Sequence, residues 1–374
     1  MIILINASNL KNGGGLQVAD SICRSLGDFN RHSFIVVLSS YFNNIECLDS
    51  MPNVKRICVY NVKNNIQTLV FGRDSYLDGL VEEYKVDAVL TVFGPSRWNP
   101  KCFHLSGFAL SFLTMPESPY FQLMSLSSRI KVWCRNKLWE VYFKRSAKFF
   151  YTENPMVTER LKGIFKGSDI YTVTNYYNQV FDCPEECIKH QIPPFDGVSL
   201  INISTPYPHK NLGIAVDIVR YMKEYHPELN LRFVYTIDES VLNIPEDMKN
   251  NFLFIGKVSI EECPSLYQQC DIAFQPTLLE SFTASYPEAM RMETPIVTTD
   301  LVFARGLCGD AAVYYKPLDA RDAAEVIYRV ATDSGLAKKL VNNGRLQLAK
   351  YDDYNQRTQK LISIIETNAH KSTN

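Results

Sequence analysis

Two tandem α/β domains, each built on a parallel sheet, are predicted by three features of the sequence. Short β-branched runs alternate with amphipathic segments from end to end, the form of repeated strand–helix–strand units. The length of 374 residues exceeds one ordinary core and favours two. Between residues 176 and 197 the text turns to "YYNQVFDCPEECIKHQIPPFDG", which has no sustained period and carries three prolines, and a second strand–helix series starts abruptly after it. The expected division is therefore a first domain over 1–175, a linker over 176–197 and a second domain over 198–345.

The first unit is the clearest. "MIILIN" reads as a buried strand, "ASNLKNGGG" as a loop and "LQVADSICRSL" as a helix, because Ala19, Ile22, Cys23 and Leu26 fall on one face at helical spacing. Further strands are expected at "SFIVVLS", "RICVY", "VDAVLTVF", "FALSFL", "FFYTE" and "IYTVT". The second series runs from strand "VSLINIS" through helix "NLGIAVDIVRYMKEY", strands "LRFVYTI" and "FLFIG", helix "SIEECPSLYQQC", strand "DIAFQP", the stretch "ESFTASYPEAMRMETP" and strand "PIVTTD".

Composition narrows the function classes. Apolar residues make up 46% of the chain and charged ones 21%, with a formal net charge of −1, which excludes a disordered chain and argues against a nucleic-acid binder. No apolar run reaches membrane-spanning length and the start lacks the pattern of a secretion signal, so a cytoplasmic protein is expected. The ten cysteines are scattered; Cys183, Cys187 and His190 supply metal-ligand types but lack a fourth partner, and no metal is expected.

In open α/β sheets, ligands sit at the carboxyl ends of strands, so chemistry is sought in the loops there. Gly13, Gly14 and Gly15 follow the first strand, where a backbone without side chains suits either a phosphate or a surface turn. "STPYPHKNL" places His209 and Lys210 before a helix that Asn211 is positioned to cap, and Lys210 reads as a diphosphate-neutralising cation or as a solvated loop lysine. In the opening of "ESFTASYPEAMRMETP", Ser285 and Glu288 have capping-box spacing, with Pro287 tolerated in the first turn. That accounts for Glu288 structurally but leaves Glu280, in the strand-to-helix loop, unexplained. A ligand with both hydroxyls and phosphates uses carboxylates, amides and a lysine together, and nucleotide sugars are such ligands.

The segment "CDIAFQPTLLESFTASYPEAMRMETPIVTTD" resembles the signature of family 4 glycosyltransferases, whose Glu-x7-Glu motif lies in a strand–loop–helix context. The order of its neighbours agrees: the Gly-rich loop, "PHKN", "FLFIGKVS" and "LCGDAAVYYKPLDARDAAEVIYRVATD". The resemblance implies the GT-B fold, two Rossmann-like domains facing each other across a cleft, and a segment 346–374 whose helix returns toward the first domain before a frayed tail. It implies retaining, metal-independent transfer of a hexose or related sugar from a UDP- or GDP-sugar to a lipid-linked or oligosaccharide acceptor held by the first domain, as in O-antigen or other surface polysaccharide synthesis. Glu280 is then expected at the donor hexose, Glu288 at the ribose, and Lys210 at the departing phosphate. Ser281, Phe282 and Thr283 are expected at the sugar or diphosphate, Gly14 and Gly15 on its other side, and Val258 at the base. Where the family often has an arginine this chain has Ser204, so His209 or Arg97 is the expected substitute phosphate clamp, and Glu117 stands where the family places a histidine. A nucleotide-sugar epimerase and a catalytically silent nucleotide-sugar-binding subunit are the alternative functions.

Residues 129–148 carry seven Lys or Arg against one Glu, interleaved with aromatics. Leu126, Ile130, Trp133, Leu138, Val141 and Tyr142 form a stripe that predicts a core-facing helix with a basic outer face. The alternative is contact with the inner face of the cell membrane, which a lipid-linked acceptor requires.

Overall fold

The computed structural model describes residues 1–11, 13–42 and 46–369; the tail expected to fray, 370–374, lies outside them. The chain forms two compact units, one of Met1–Thr114, Ser125–Asn175 and Asp352–Asn374, the other of Met115–Met124 and Tyr176–Tyr351. Met115–Met124 thus packs with the second unit, not the first as its place in the sequence suggests. The reason is local: the Ser118 hydroxyl donates to the Leu278 carbonyl at 2.6 Å, and the Tyr120 ring meets His209 edge-on at 5.9 Å.

The first unit is built on seven parallel strands, β1 (Ile2–Ala7), β2 (Ser33–Leu38), β3 (Val54–Val59), β4 (Ala88–Thr91), β5 (Phe103–Gly107), β6 (Phe149–Thr152) and β7 (Asp169–Thr172), in the order β3-β2-β1-β4-β5-β6-β7. Its helices are α1 (Gly14–Ser25), α2 (Glu46–Asp49), α3 (Ser75–Tyr84), α4 (Ser111–Thr114), α5 (Leu126–Ser146) and α6 (Pro155–Ile164). As expected, α1 buries Ala19, Ile22 and Cys23, and Leu26 follows them into the core.

The second unit has six parallel strands, β8 (Val198–Asn202), β9 (Leu231–Tyr235), β10 (Phe252–Phe254), β11 (Ile272–Gln275), β12 (Ile296–Thr299) and β13 (Ala312–Tyr315), in the order β10-β9-β8-β11-β12-β13. With them go α7 (Ile214–Tyr225), α8 (Cys263–Gln268), α9 (Ser285–Arg291), α10 (Val302–Cys308), α11 (Ala320–Thr332) and α12 (Ser334–Leu348). In each sheet the chain runs outward from its first strand and then returns to that strand's other side. The loops after β1 and β4, and those after β8 and β11, therefore leave in opposite directions and open a crevice, the ligand site of doubly wound sheets. The last helix, α13 (Tyr354–Ala369), belongs to the first unit, where Leu361, Ile362, Ile365 and Ala369 join the core with Ile3 and Ile22. Its fully buried Arg357 donates to Asn175 Oδ1 at 2.6 Å and Ser21 Oγ at 2.9 Å.

Three sequence expectations are corrected. The strand expected at "FALSFL" is β5, five residues earlier, and residues 111–114 are helical. The polar His104 and Ser106 disguise β5, yet both are buried, and His104 bonds Thr91 Oγ1 at 2.8 Å and the Ser146 carbonyl at 2.5 Å. Burial lowers the His104 pKa to about 4, so its ring is neutral at physiological pH.

The second correction is α5. Of its expected core stripe only Tyr142 is buried, while Leu126, Ile130, Trp133, Leu138 and Val141 are 50–72% exposed. The helix is instead anchored through its last turns, where Phe143 packs against Phe108, Phe150 and Phe165 with ring centroids 4.9 to 6.0 Å apart. The third concerns Asn211, which does not cap α7. It closes the 3-10 turn Pro208–Lys210 in the left-handed conformation at φ 53°, and α7 begins at Ile214.

Candidate active site

At the switch point of the second sheet, the loop after β8 carries His209 and Lys210, and the loop after β11 carries Thr277 and Glu280. The two are stitched together by main chain, with the Leu278 N–H donating to the His209 carbonyl at 2.8 Å. Lys210 Nζ then lies 2.5 Å from Glu280 Oε1, and Thr277 Oγ1 donates to the same oxygen at 2.9 Å. Both members of the ion pair are only 13% exposed, which places them well inside the crevice. Removing one partner of a pair this shielded leaves an uncompensated charge.

Glu288 lies one turn into α9 and is buried. It does not form the expected capping box. The N-cap is Ala284, which puts Glu288 at the fourth helical position instead of the third, and the Ser285 hydroxyl donates instead to the Ile203 carbonyl at 3.3 Å. A capping box does form at Ser259 and Glu262, one loop earlier. Freed from that role, the Glu288 carboxyl turns inward and accepts from the Tyr267 hydroxyl at 3.2 Å. Burial raises its pKa to about 7, against the opposing pull of the Tyr267 hydrogen bond and the Lys210 charge. Lys210 thus acts on both carboxylates.

The sign of that shift makes a stability prediction. A carboxyl whose pKa rises from 4.5 to about 7 on folding favours the fold below the lower value, and that contribution is lost as the pH climbs to the higher one. Glu288→Gln keeps an acceptor for Tyr267 without a charge to bury. It is expected to be more stable than the parent at pH 8 by up to about 3 kcal/mol, with the difference vanishing near pH 4, as read by urea unfolding.

His209 is held between two rings, stacked on Tyr207 at 5.5 Å and met edge-on by Tyr120. Burial lowers its pKa, so near neutral pH it offers a neutral imidazole and not the clamp's positive charge. The Ser204 hydroxyl donates to Asn202 Oδ1 at 2.5 Å and its N–H to Thr236 Oγ1 at 3.2 Å. Ser281 and Thr283 are buried, and Phe282 is half-buried with its ring edge-on to Tyr351. Among the described residues, the N–H groups of Phe282 and Thr283 have no hydrogen-bond acceptor. Val258 is half-buried in the loop after β10, two residues beyond Gly256, whose φ of 73° turns the chain.

The remaining candidates lie elsewhere. In the first unit, Gly13 takes φ 68° and opens α1, and a Cβ at Gly13 or Gly14 would meet nothing within 4 Å, whereas one at Gly15 would touch Leu10 and Phe93. Arg97, also in the first unit, donates to Asn64 Oδ1 and lies over the Tyr142 ring at 5.9 Å. Glu117 is exposed. His190 bonds Glu262 at 2.9 Å, and among the described residues no three potential metal ligands converge. Thr277, Tyr267, Ser118 and Tyr120 were not singled out in the sequence, because nothing in their spacing announces that they hold other residues in place.

Residues 199–347 match the family model "Glycosyl transferases group 1". The O-antigen chain mannosyltransferase RfbU of Salmonella typhimurium is 23% identical over 133 residues, a match spanning 34% of this chain and only 37% of that relative. A glycosyltransferase from Rickettsia africae superposes with a TM-score of 0.68 at 15% identity, covering 98% of this chain and 97% of its own. Anabaena HepE in complex with UDP and glucose superposes with a TM-score of 0.66 at 12% identity, covering 98% and 99%. The chain therefore has the GT-B fold, and its residues 199–347 are similar to glycosyl transferases of group 1.

Proposed function

We propose that the whole chain is a retaining glycosyltransferase that moves a hexose or related sugar from a UDP- or GDP-sugar to a lipid-linked or oligosaccharide acceptor, without a metal, in O-antigen or other surface polysaccharide synthesis. The observation that carries this reading is the Lys210–Glu280 pair beside buried Glu288 at the switch point of a domain similar to glycosyl transferases of group 1. The RfbU match supports the polysaccharide assignment, and neighbours solved with UDP and with UDP-glucose support the donor class.

In this reading Glu288 accepts from the ribose hydroxyls, Glu280 from the donor hexose, and the Phe282 and Thr283 amides donate to the sugar or the diphosphate, with Val258 at the base. As the bond from the anomeric carbon to phosphate oxygen lengthens, negative charge grows on the leaving diphosphate. An ammonium carries several donors, so the bond from Lys210 to Glu280 leaves others for those oxygens, in a site where a fixed charge outweighs the same charge in water. The first unit takes the acceptor, and residues 129–148 meet the inner face of the membrane that holds it.

The test is titration with a panel of UDP- and GDP-sugars, read by thermal shift and by slow release of free sugar. One nucleotide class is expected to raise the melting temperature and to be hydrolysed slowly, with no change on adding a chelator. Stabilisation with neither hydrolysis nor transfer to any member of a broad acceptor panel would favour the silent binding subunit; no stabilisation by any nucleotide would reject both.

A further inference from the structure

We propose that α5 and the turn at residues 66–71 form one continuous face that lays the first unit on an anionic lipid bilayer. The inference rests on the reading that residues 129–148 meet a membrane, and it adds a second, uncharged element that the sequence did not announce. Ile66, Val70 and Phe71 are 66%, 58% and 61% exposed, in a segment without a charged side chain. On α5, Ile130, Trp133, Leu138 and Val141 are exposed to a similar degree.

The two patches adjoin through Arg145. It lies one turn beyond Val141 on the same side of α5, and its guanidinium donates to the carbonyls of Thr68, Leu69 and Val70 at 2.9 to 3.0 Å. The stripe on α5 therefore runs directly onto the turn, and the arginine that joins them is held by main-chain oxygens.

Charge selects the occupant. The one acid of the helix, Glu140, is paired with Lys137 at 3.2 Å and Lys144 at 2.6 Å, and residues 129–148 set seven Lys or Arg against it, so the segment is net positive. A second copy of the chain would set this positive face against its equal. Anionic headgroups instead match it, while apolar side chains reach the acyl boundary and lysine stems extend toward the phosphates. No helix among the described residues is long and apolar enough to cross a membrane, so the contact is one of lying on the surface.

Sedimentation of the full chain with vesicles tests this, comparing equimolar phosphatidylglycerol and phosphatidylcholine with phosphatidylcholine alone. Binding is expected only to the anionic vesicles and is expected to weaken with added salt. Val70→Ser/Phe71→Ser and Ile130→Ser/Trp133→Ser are each expected to weaken it at least about tenfold, with unchanged melting temperatures because these side chains are exposed. Loss with the helix variant but not the turn variant would overturn the continuous face and leave the membrane reading standing. No vesicle binding by the parent would overturn both. A dimer in sedimentation equilibrium that both variants abolish, without vesicle binding, would give the face to a second copy.

Discussion

Lys210→Ala is expected to lower turnover by about 100- to 1,000-fold, the range found when one preorganised donor to developing charge is removed. The loss should fall on kcat more than on KM, because the charge it offsets grows as the leaving bond breaks. The substitution also leaves Glu280 shielded and unpaired, with Thr277 as its remaining hydrogen-bond donor. A stability cost on the order of 3 kcal/mol is expected, and Lys210→Ala/Glu280→Ala should recover part of it while recovering no turnover. If the double variant were as unstable as the sum of the single ones, the ion pair would have no energetic existence. Lys210→Arg is a poor substitute, since a planar fork replaces a point charge that sits between Glu280 and the proposed phosphate.

Glu288→Ala is expected to weaken binding of the bare nucleotide by about 10- to 100-fold, the worth of hydrogen bonds to a charged acceptor. The same carboxyl predicts a pH dependence. With its pKa raised to about 7, it is mostly protonated near pH 6 and mostly ionised near pH 8. An acceptor for two ribose hydroxyls must be ionised, so nucleotide affinity should rise about tenfold over that range and stay flat in Glu288→Gln. Isothermal titration across pH reads both effects. A parent whose affinity falls with rising pH would remove Glu288 from the ribose.

Most of the fold was legible because buried parallel strands are short apolar runs, and nearly all of these stand between turn signals. β5 escaped because His104 and Ser106 read as polar, and only the structure supplies the Thr91 and Ser146 partners that make the burial of His104 tolerable. The α5 stripe shows a different limit. Helical spacing establishes that Ile130, Trp133 and Val141 share a side, not what covers it, and here the described protein leaves each of them more than half exposed.

The candidate residues of the second unit were legible by type and position, as Lys210, Glu280 and Glu288 all stand beside strand ends. Their pairing was not. That Lys210 meets Glu280 follows from hydrogen bonds between loops some 70 residues apart, which no local pattern encodes. The capping box was misplaced for a related reason, since helix α9 starts at Ser285 and the frame shifts by one residue.

In the proposed function, two carboxylates in one loop–helix segment handle different parts of a single nucleotide-sugar donor. The most direct test of this division is calorimetric titration of Glu280→Ala and Glu288→Ala with the free nucleotide and with its sugar conjugates. Glu288→Ala is expected to lose nucleotide affinity, while Glu280→Ala is expected to keep the nucleotide and lose discrimination among sugars. Equal and small effects in both variants would contradict it.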